Sequence, residues 1–396
     1  METLSTLQIW IWFFSSLWPI WCAIFLTMGV GYVFRARLGL FGHLFDSGVG
    51  MLGLFICLFW FFAAILADAV ALYEPLEQIV MYRRKPPGVI NMETGLPFLF
   101  GTDTLGRDLF SRMIHGSRFV LIIAPAATLV AFVVGITLGL PAGYFGGRLD
   151  AVLSFIANLV LAFPVILLFY LLVTPGIRET VLPNIMAGVF FLFPVIFALI
   201  FVRARYLERP LIMLVASMVI VAVGGWLYFG LAFDYDVLGR FVGAVIGDPS
   251  LRFVRIDPNE LNIFASVVFA TSPGVFRIVR GLTLDIKTRD YVAAAMTRGE
   301  RPTYIMMWEI LPNARGPLIV DACLRVGYVT ILLGTLGFFG LGLHPESPDW
   351  GSMINQTRGY IRLVPTIVLP ATIALASFVL GLNLLADGLR EQSLKD

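Results

Sequence analysis

Two ionisable side chains of opposite charge stand within an otherwise apolar stretch of the sequence. Asp321 and Arg325 are four residues apart early in the run 316–343. On a helix they would share one face, where they can pair and neutralise each other. Ionisable residues in such runs are costly and often belong to transport pathways. The spacing therefore leaves two interpretations open, a structural ion pair near the membrane interface and a gating pair that lines a pathway.

The patterns that would support catalysis or bind a cofactor are absent from the sequence. It has no GxxxxGK[ST] phosphate loop, no Ser/His/Asp or Cys/His arrangement and no glycine-rich dinucleotide fingerprint. Cys22, Cys57 and Cys323 lie in apolar stretches without a CxxC pair, and His115 and His344 are isolated in predicted loops. We therefore expect no disulfide, no metal site, no cofactor bound by this chain and no enzymatic activity.

A basic segment at 277–315 interrupts the apolar pattern. It contains the helix-forming run Ala293–Ala295, then Gly299, then a Leu-Pro-Asn sequence at 311–313. Alanine favours helix, glycine permits a sharp break, and proline ends or kinks a helix. The pattern predicts two short surface helices joined at a turn near Gly299. Such a structure is either a knob for a protein partner or an amphipathic loop held to anionic lipid by its arginines.

The elements that position these residues are predicted to be membrane-spanning helices. Hydrophobic residues make up 59% of the sequence and charged residues 14%, against about 45–50% and about 25% in soluble domains. The formal net charge of +2 gives no indication of a nucleic-acid partner. One span needs about 20 apolar residues. The apolar runs predict nine spans, at 9–33, 48–72, 118–141, 151–173, 185–202, 211–232, 262–280, 316–343 and 363–386.

Basic residues in short loops orient these spans, because such loops stay in the cytoplasm. The pairs Arg35/Arg37 and Arg203/Arg205, the segment 277–315 and the C-terminus are predicted to lie inside, so nine spans place the N-terminus outside. The loop 73–117 then carries basic residues on the outer side. They are Arg83, Arg84, Lys85, Arg107, Arg112 and Arg118. Long loops translocate largely regardless of charge, so the short loops carry more weight.

The basic segment also resembles a known signature. Tyr291-Val-Ala-Ala-Ala-Met-Thr-Arg-Gly299, followed after nine residues by Glu309-Ile-Leu-Pro312, resembles the EAA signature of permease subunits of ATP-binding-cassette (ABC) importers. In that family the loop forms coupling helices that sit in a groove of the cytoplasmic ATPase. The resemblance assigns ATPase coupling to Tyr291, Ala294, Ala295, Gly299, Glu309, Leu311 and Pro312. This sequence has Ala293 where the signature usually has Glu, and Glu309 where Ile or His is common.

A second match lies before the third predicted span. Gly101-Thr-Asp-Thr-Leu-Gly-Arg-Asp108 is similar to the segment before the second core helix in the dipeptide/oligopeptide/nickel class of these permeases. The matching positions are Gly101, Asp103, Gly106, Arg107, Asp108 and Arg112. Later stretches resemble that class in the same order, namely Ala142–Gly147 with Asp150, Leu161–Pro164, Phe338–Gly342, Trp350–Gly351 and Asn383–Arg390. The resemblance covers roughly residues 47–175 and 262–392.

The resemblance implies an all-α fold, a polytopic transmembrane bundle of the type I ABC importer permease kind. Its six-helix core would carry about three extra helices. We expect an N-terminal extra helix and cytoplasmic elbow over 1–46 and the first part of the core over 47–175. An inserted helix pair with a periplasmic loop follows over 176–261, and the second core part over 262–396 contains the coupling loop at 281–315.

The implied function is that of the second, C-type permease subunit of a binding-protein-dependent importer in the bacterial inner membrane. Di- or oligopeptides are the expected substrates, with nickel chelates, opines or sugars as alternatives. The expected partners are a non-identical second permease subunit, two ATPase subunits that carry ATP and Mg, a periplasmic binding protein and the lipid bilayer. No nucleic acid is expected. An ion-coupled secondary transporter is a lesser alternative. A carrier of that kind would be expected to show intramembrane acidic residues and repeat symmetry in its sequence.

The inserted region leaves two interpretations. A pair of spans preserves sidedness, so the loop 233–261 is predicted outside. With 73–117 it would face the periplasmic binding protein, or it would serve as a spacer that joins an accessory helix pair. Its charged residues are Asp234, Asp236, Arg240, Asp248, Arg252, Arg255, Asp257 and Glu260. Elsewhere, the GxxxG pair Gly135 and Gly139 predicts close helix packing in lipid.

Overall fold

A computed structural model describes residues 2–233, 257–341, 347–362 and 364–393, together with 236, 238–240, 242 and 253. The chain forms two compact units, one of residues 1–125 with 320–396 and one of residues 126–319. Regular structure in the described part is helical apart from a two-stranded ribbon. The predicted all-α class is confirmed.

The first unit holds the N-terminal helices, the outer ribbon and the C-terminal helix. Its α-helices are Thr6–Ser16, Trp18–Val33, Gly48–Ile65, Ala67–Val70, Trp350–Thr357 and Leu369–Ser393. Short 3₁₀ segments are Arg35–Arg37, Gly39–Asp46, Val80–Tyr82, Arg358–Tyr360 and Pro365–Ile367. The strands Val89–Ile90 and Pro97–Phe98 pair antiparallel, with Val89 opposite Phe98.

The second unit holds the central helices and the short helices of the basic segment. The boundaries between the units fall within two helices, Leu109–Phe145 and Arg315–Phe338. The others are Gly147–Leu161, Val165–Val173, Pro175–Arg178, Leu182–Tyr206, Pro210–Phe233, Pro258–Ile286, Asp290–Thr297, Pro302–Tyr304 and Leu311–Asn313, with a π-helix at Ile305–Ile310.

Helices with the length and hydropathy of membrane spans lie at seven of the nine predicted positions in the described part of the chain, and a bent helix pair lies at each of the other two. Seven single helices are long and apolar enough to cross, and two bent pairs bring the number to nine. The bends were not predicted. Thr6–Ser16 and Trp18–Val33 meet at 53°, and Gly147–Leu161 and Val165–Val173 meet at 81°. A proline lies at each break, Pro19 and Pro164, where its missing N–H and its ring interrupt the helical hydrogen bonds.

The N-terminal residues are tied to the loop 73–117. Thr3 forms a bridge with Val89, the Leu4 N–H donates to the Gly88 carbonyl at 2.8 Å, and the Ile90 N–H donates to the Glu2 carbonyl at 3.1 Å. These segments therefore lie on one side of the membrane. Since Gly48–Ile65 crosses once between them, we infer that the bent pair over residues 6–33 crosses once as well.

The core of the first unit is built around tryptophan. The rings of Trp60 and Trp350 meet edge to face at 4.8 Å, and the Trp350 Nε1–H donates to the Met113 carbonyl at 2.8 Å. The Trp60 Nε1–H donates to the Ser377 hydroxyl at 3.0 Å. Both indoles thus bury large apolar rings while their only donor is satisfied.

The helices of the second unit approach each other closely at small residues. Added Cβ atoms at Gly135 and Gly139 would overlap Val275 and Val279 on Pro258–Ile286. The predicted packing role of this GxxxG pair is confirmed. The inserted helix Leu182–Tyr206 packs on the same helix, where the Phe191 and Phe264 rings stack at 5.4 Å and 11°.

Candidate functional site

The basic segment forms the predicted two short helices, and Gly299 makes the turn between them. We call residues 281–315 the 281–315 loop. Its first helix, Asp290–Thr297, is closed by two backbone bonds, from the Gly299 N–H to Met296 at 2.9 Å and from the Glu300 N–H to Ala295 at 3.2 Å. This Schellman closure requires a left-handed residue, and Gly299 has φ +79°. The turn predicted from one glycine is confirmed.

The first short helix has one buried and one exposed face. Val292 and Ala295 are fully buried, whereas Tyr291 and Met296 remain 40% and 47% exposed. Residues three apart share a face of a helix, so Val292 and Ala295 anchor the helix. The tip therefore presents an aromatic ring and a flexible thioether to solvent, which are side chains enriched at protein interfaces.

The second arm of the loop contains a π-helix. Residues 302–313 are helical throughout, and Ile305–Ile310 follow the π pattern. Pro312 has no backbone N–H and therefore cannot donate to the Trp308 carbonyl four residues earlier. The normal α-helical hydrogen-bond ladder is interrupted there. Ile305 and Ile310 are fully buried and hold this arm in place. π-Helical turns are rare and occur frequently at functional sites.

An ion pair links the two arms. The Arg298 guanidinium lies 3.2 Å from the Glu309 carboxylate, and the Asn313 side-chain amide donates to the Glu309 carbonyl at 2.6 Å. Glu309 thus acts within the loop, although the signature places it with the coupling residues. Ala293 is exposed. The remaining predicted coupling positions divide into exposed Tyr291, Ala294, Gly299 and Pro312, half-buried Leu311, and buried Ala295.

The base of the loop is fixed by contacts that the sequence did not reveal. The Asp150 carboxylate accepts hydrogen bonds from both Nε and Nη2 of Arg280, the bond from Nη2 at 2.6 Å. The Lys287 ammonium donates to the Gly143 carbonyl at 2.8 Å. Asp150 and Gly143 belong to a stretch that resembles the family, but no local pattern indicates Arg280 or Lys287 as their respective partners. These contacts tie the end of Pro258–Ile286, where the loop begins, to the preceding helices.

The second predicted motif, which we call the 101–112 segment, is buried. Asp103 accepts from the Arg107 Nε at 2.7 Å and from the backbone N–H groups of Leu105 and Arg107. Arg107 also donates to Gln356 at 2.7 Å, and Arg112 lies 4.0 Å from Asp103. Arg107 is only 1% exposed. The motif is a buried ionic network that organises the outer part of this unit.

Two further residues of this motif shape the start of the long helix Leu109–Phe145. Gly106 has φ +84°, and an added Cβ would overlap the Ile79 carbonyl. Asp108 accepts from the Ser111 N–H at 2.8 Å and so caps the helix. Burial raises the pKa of Asp108 to about 6, partly offset by these hydrogen bonds.

His115 is not the isolated loop residue that was predicted. It lies in the helix Leu109–Phe145, and its Nε2 is 3.2 Å from the Asp68 carboxylate. Asp68 also receives two hydrogen bonds from Arg118, at 2.9 and 2.7 Å. The hydrogen bonds from Arg118 and His115 lower the pKa of Asp68 to about 2. The long sequence separation between Asp68 and its partners concealed this contact.

The intramembrane pair forms as predicted. The Arg325 Nε lies 2.6 Å from the Asp321 carboxylate, and both side chains are largely buried. They occupy the second and third turns of Arg315–Phe338, the helix that begins where the 281–315 loop ends. The pairing is confirmed, whereas a gating role stays a prediction.

Comparisons with known proteins give the same family as the motifs. The sequence model of the family described as "Binding-protein-dependent transport system inner membrane component" matches residues 209–393. This range contains the whole 281–315 loop and the Asp321–Arg325 pair. Residues 209–393 therefore resemble this family of inner-membrane permeases.

Individual relatives extend the match over most of the chain. The permease is 29% identical to the di/tripeptide transport system permease protein DppC of Pseudomonas aeruginosa over 362 residues, 91% of this chain and 92% of the relative. It is 26% identical to the dipeptide transport system permease protein DppC of Haemophilus influenzae, covering 86% and 88%. The glutathione transport system permease protein GsiD of Pectobacterium atrosepticum is 28% identical, covering 74% and 70%.

The family and the helices together place the permease in the inner membrane as a multi-pass protein. Local contacts account for four of the six outer basic residues that disagreed with the charge rule. Arg107 and Arg112 are buried in the ionic network, Arg118 is paired with Asp68, and Arg84 lies over the Tyr360 ring at 4.3 Å. Their charges are used in local contacts, so they carry little information about orientation.

Some predicted positions lie outside the described residues of the permease. These are Asp234, Asp248, Arg252 and Arg255 of the loop 233–261, as well as Gly342 and His344. Within the described part of that loop, Asp236 is buried and accepts from the Trp226 Nε1–H at 2.7 Å. Asp236 therefore serves the inserted helix pair itself rather than an external partner.

Proposed function

We propose that this chain is the permease subunit through which an ATP-driven, binding-protein-dependent importer moves peptides across the inner membrane. Three relatives support peptides as the substrate. Their descriptions name transport systems for dipeptides, di- and tripeptides or glutathione. Nickel chelates, opines and sugars are the alternative substrates for this class. ATP and Mg would be bound by partner ATPase subunits, and a non-identical second permease would complete the pathway.

The observation that carries the coupling part of this proposal is the exposed tip of the 281–315 loop. Its first helix buries Val292 and Ala295 and leaves Tyr291 and Met296 exposed next to the Gly299 turn. A short, rigidly closed helix with exposed aromatic and thioether groups suits insertion into a groove of another protein. The ATPase is the partner that fits an importer of this family.

The Arg298–Glu309 pair supports the same role. The sequence has no carboxylate at position 293, but the arms of the loop are still linked by the ion pair between residues 298 and 309. We propose that the pair keeps the two arms moving as one body when the ATPase pushes on the tip. Movement of the loop would then bias the permease between outward-open and inward-open states, because its contacts differ between them.

The intramembrane pair and the outer loops receive secondary roles in the proposal. Asp321 and Arg325 lie in the helix that follows the loop, where a loop movement would reach them through a continuous helix. Their proposed role is gating. The loops 73–117 and 233–261 are proposed to face the periplasmic binding protein, with the spacer role of 233–261 as the alternative.

The test of ATPase docking is co-purification of the ATPase subunits with the assembled importer. Tyr291→Asp and Met296→Asp place a charge on the exposed tip and are expected to reduce the co-purified ATPase strongly, with normal amounts of permease in the membrane. Met92→Asp is the matched control, since Met92 is also well exposed but lies in the outer loop. Undiminished ATPase with both tip variants would refute docking at this tip.

The substrate is tested on the periplasmic binding protein of the proposed importer. Peptides of two to five residues are expected to stabilise the purified binding protein against heat, because binding only to the folded state raises its melting temperature. Nickel chelates, opines and sugars serve as comparison ligands. Stabilisation by one of these and by no peptide would replace the peptide assignment and leave the coupling proposal intact.

A further inference from the structure

The inserted helix Leu182–Tyr206 makes an unexpected contact with the second arm of the 281–315 loop. The ring of Phe201 lies 5.1 Å from the ring of Trp308, at an angle of 44°. The guanidinium of Arg205 lies over the same indole, 5.0 Å from its centroid. The helix also packs against Pro302–Tyr304 at the start of this arm. We propose that the inserted helix pair positions the loop for coupling, with Trp308 as the point of contact.

The spacing of the contact residues suits a grip on one ring. Phe201 and Arg205 are four residues apart, so they lie on the same face of their helix, one turn from each other. An aromatic ring packed beside the indole and a cation over its face use the two favourable geometries for tryptophan, dispersion and attraction to the ring quadrupole. The contact therefore restrains both the position and the tilt of Trp308.

The Trp308 ring is not fixed by a hydrogen bond to a described residue. Its Nε1–H is buried and donates to no acceptor among the described residues, whereas Trp60 and Trp350 each donate to a named acceptor. A buried donor without an acceptor is costly. The contacts with Phe201 and Arg205 on the inserted helix are therefore the interactions that orient this indole in our proposal.

The location of Trp308 gives the contact its consequence. It lies in the π-helix Ile305–Ile310 and directly precedes Glu309, which is paired with Arg298 next to the Gly299 turn. A force on the exposed tip reaches the second arm through this pair. With the ring held by Phe201 and Arg205, the arm transmits the force to Arg315–Phe338; without it, the arm can yield locally.

This inference rests on the proposed docking of the ATPase and adds a function for the inserted helix pair. That function is mechanical and lies at the basic turn, the cytoplasmic end by the charge rule. It is independent of any role of the loop 233–261 at the opposite end of the pair. The two roles are therefore separable by substitution at residues 201 and 205.

The experiment measures import and ATP hydrolysis by the complete importer in proteoliposomes with its binding protein. Arg205→Ala and Trp308→Ala are expected to lower import about threefold to tenfold, the range that one cation–π or ring contact represents. ATPase subunits should remain bound, so the number of ATP molecules hydrolysed per imported substrate should rise. Trp308→Phe and Arg205→Lys should restore much of the import.

Arg203→Ala is the matched control. Arg203 is exposed on the same turn and carries the same topological charge, but it makes no ring contact among the described residues. It should import normally. The double variant Arg205→Ala/Trp308→Ala should be no worse than the poorer single variant, because both remove one contact.

Two results would overturn the inference. One is equal import by Arg205→Ala and Arg203→Ala, and the other is multiplication of the two single effects in the double variant. Failure of ATPase docking has a different signature, since it would appear as undiminished co-purification with Tyr291→Asp and Met296→Asp. The positioning role and the docking role can thus be refuted separately.

Discussion

The 101–112 segment and the 281–315 loop both match sequence patterns of one permease family, and both combine glycines with charged residues. In the first, Asp103, Arg107 and Arg112 are almost completely buried and bind one another and Gln356. In the second, Arg298 and Tyr291 remain exposed around the Gly299 turn. The same residue types therefore form a buried ionic network in one region and an exposed tip, our proposed docking surface, in the other.

The difference teaches that burial decides what a charged motif does. A buried ion pair whose partner is removed leaves an uncompensated charge at a cost of about 3–5 kcal/mol. An exposed pair contributes about 0–1 kcal/mol because water screens it. Substitutions in the 101–112 segment should consequently act on stability, and substitutions in the 281–315 loop on coupling.

The largest effect is expected for Arg107→Ala. Loss of the guanidinium leaves the buried Asp103 carboxylate without its closest partner, at 2.7 Å, and should lower the free energy of unfolding by about 3–5 kcal/mol. The measurement is the melting temperature of the purified permease in detergent. Arg83→Ala is the control, because Arg83 is exposed and has no ion pair among the described residues. Equal melting temperatures of both variants would show that the buried ionic network does not stabilise the fold more than an exposed charge does.

A matched pair of glycine substitutions compares the two regions directly. Gly106 and Gly299 have nearly the same φ, +84° and +79°, so alanine costs about 1–2 kcal/mol of backbone strain at either position. At Gly106 the new Cβ also overlaps the Ile79 carbonyl, whereas nothing lies within 4 Å at Gly299. Overpacking adds about 1–3 kcal/mol at Gly106.

Thermal unfolding should therefore show the greater loss for Gly106→Ala. Import per unit of folded permease should instead fall more for Gly299→Ala, because the strain acts on the turn that presents the proposed ATPase contact. The reverse order of the two import values would assign the 101–112 segment a direct part in transport.

The pH dependence of stability tests the burial of Asp108. Burial raises its pKa from 3.8 to about 6 in the folded state. The protonated form is thus favoured by folding, and its stabilising contribution is complete below about pH 4 and lost as the pH rises through about 6. The difference corresponds to roughly 3 kcal/mol.

Asp108→Asn keeps an acceptor for the Ser111 N–H and does not titrate. The permease should lose stability relative to this variant between about pH 4 and 7, as measured by unfolding in buffers of constant ionic strength. A constant difference between the two proteins across this range would show that Asp108 does not titrate with a raised pKa.

The smallest effect on stability is expected for Arg298→Ala. The Arg298–Glu309 pair is partly exposed, so its loss should change the free energy of unfolding by less than about 1 kcal/mol. If the pair joins the two arms of the loop, the import rate should fall clearly although the free energy of unfolding changes little. A double-mutant cycle with Glu309→Ala measures their coupling, and a loss of folded protein comparable to that of Arg107→Ala would contradict the assignment.

Much of this architecture could be predicted from the sequence because lipid imposes a simple rule on span length. Seven single helices and two bent pairs lie where the apolar runs predict spans, and the turn at Gly299 follows from the special conformation that glycine permits. The i,i+4 pairing of Asp321 and Arg325 follows from helical geometry alone. These features depend on local sequence.

Features that depend on distant residues could not be predicted. The i,i+4 spacing of Asp103 and Arg107 was visible in the sequence, but the further partner of Arg107, Gln356, lies 249 residues along the chain. No local pattern joins Arg205 to Trp308 or Arg280 to Asp150, because each contact is made by tertiary packing. The two bent helix pairs contain Pro19 and Pro164 near their breaks, but the apolar runs alone do not indicate the bend angles.

The hydrogen bonds of residues 2–4 to residues 88–90 impose an order on biosynthesis. At a synthesis rate of about 5–20 residues per second, the partner strand follows the N-terminus by roughly 4–17 s. Both early spans must cross the membrane before the two segments can pair, and until then the N-terminal residues remain unpaired. The outer ribbon is therefore completed only after two insertion events, and an N-terminal fusion that slows the first event would delay its assembly without altering either motif.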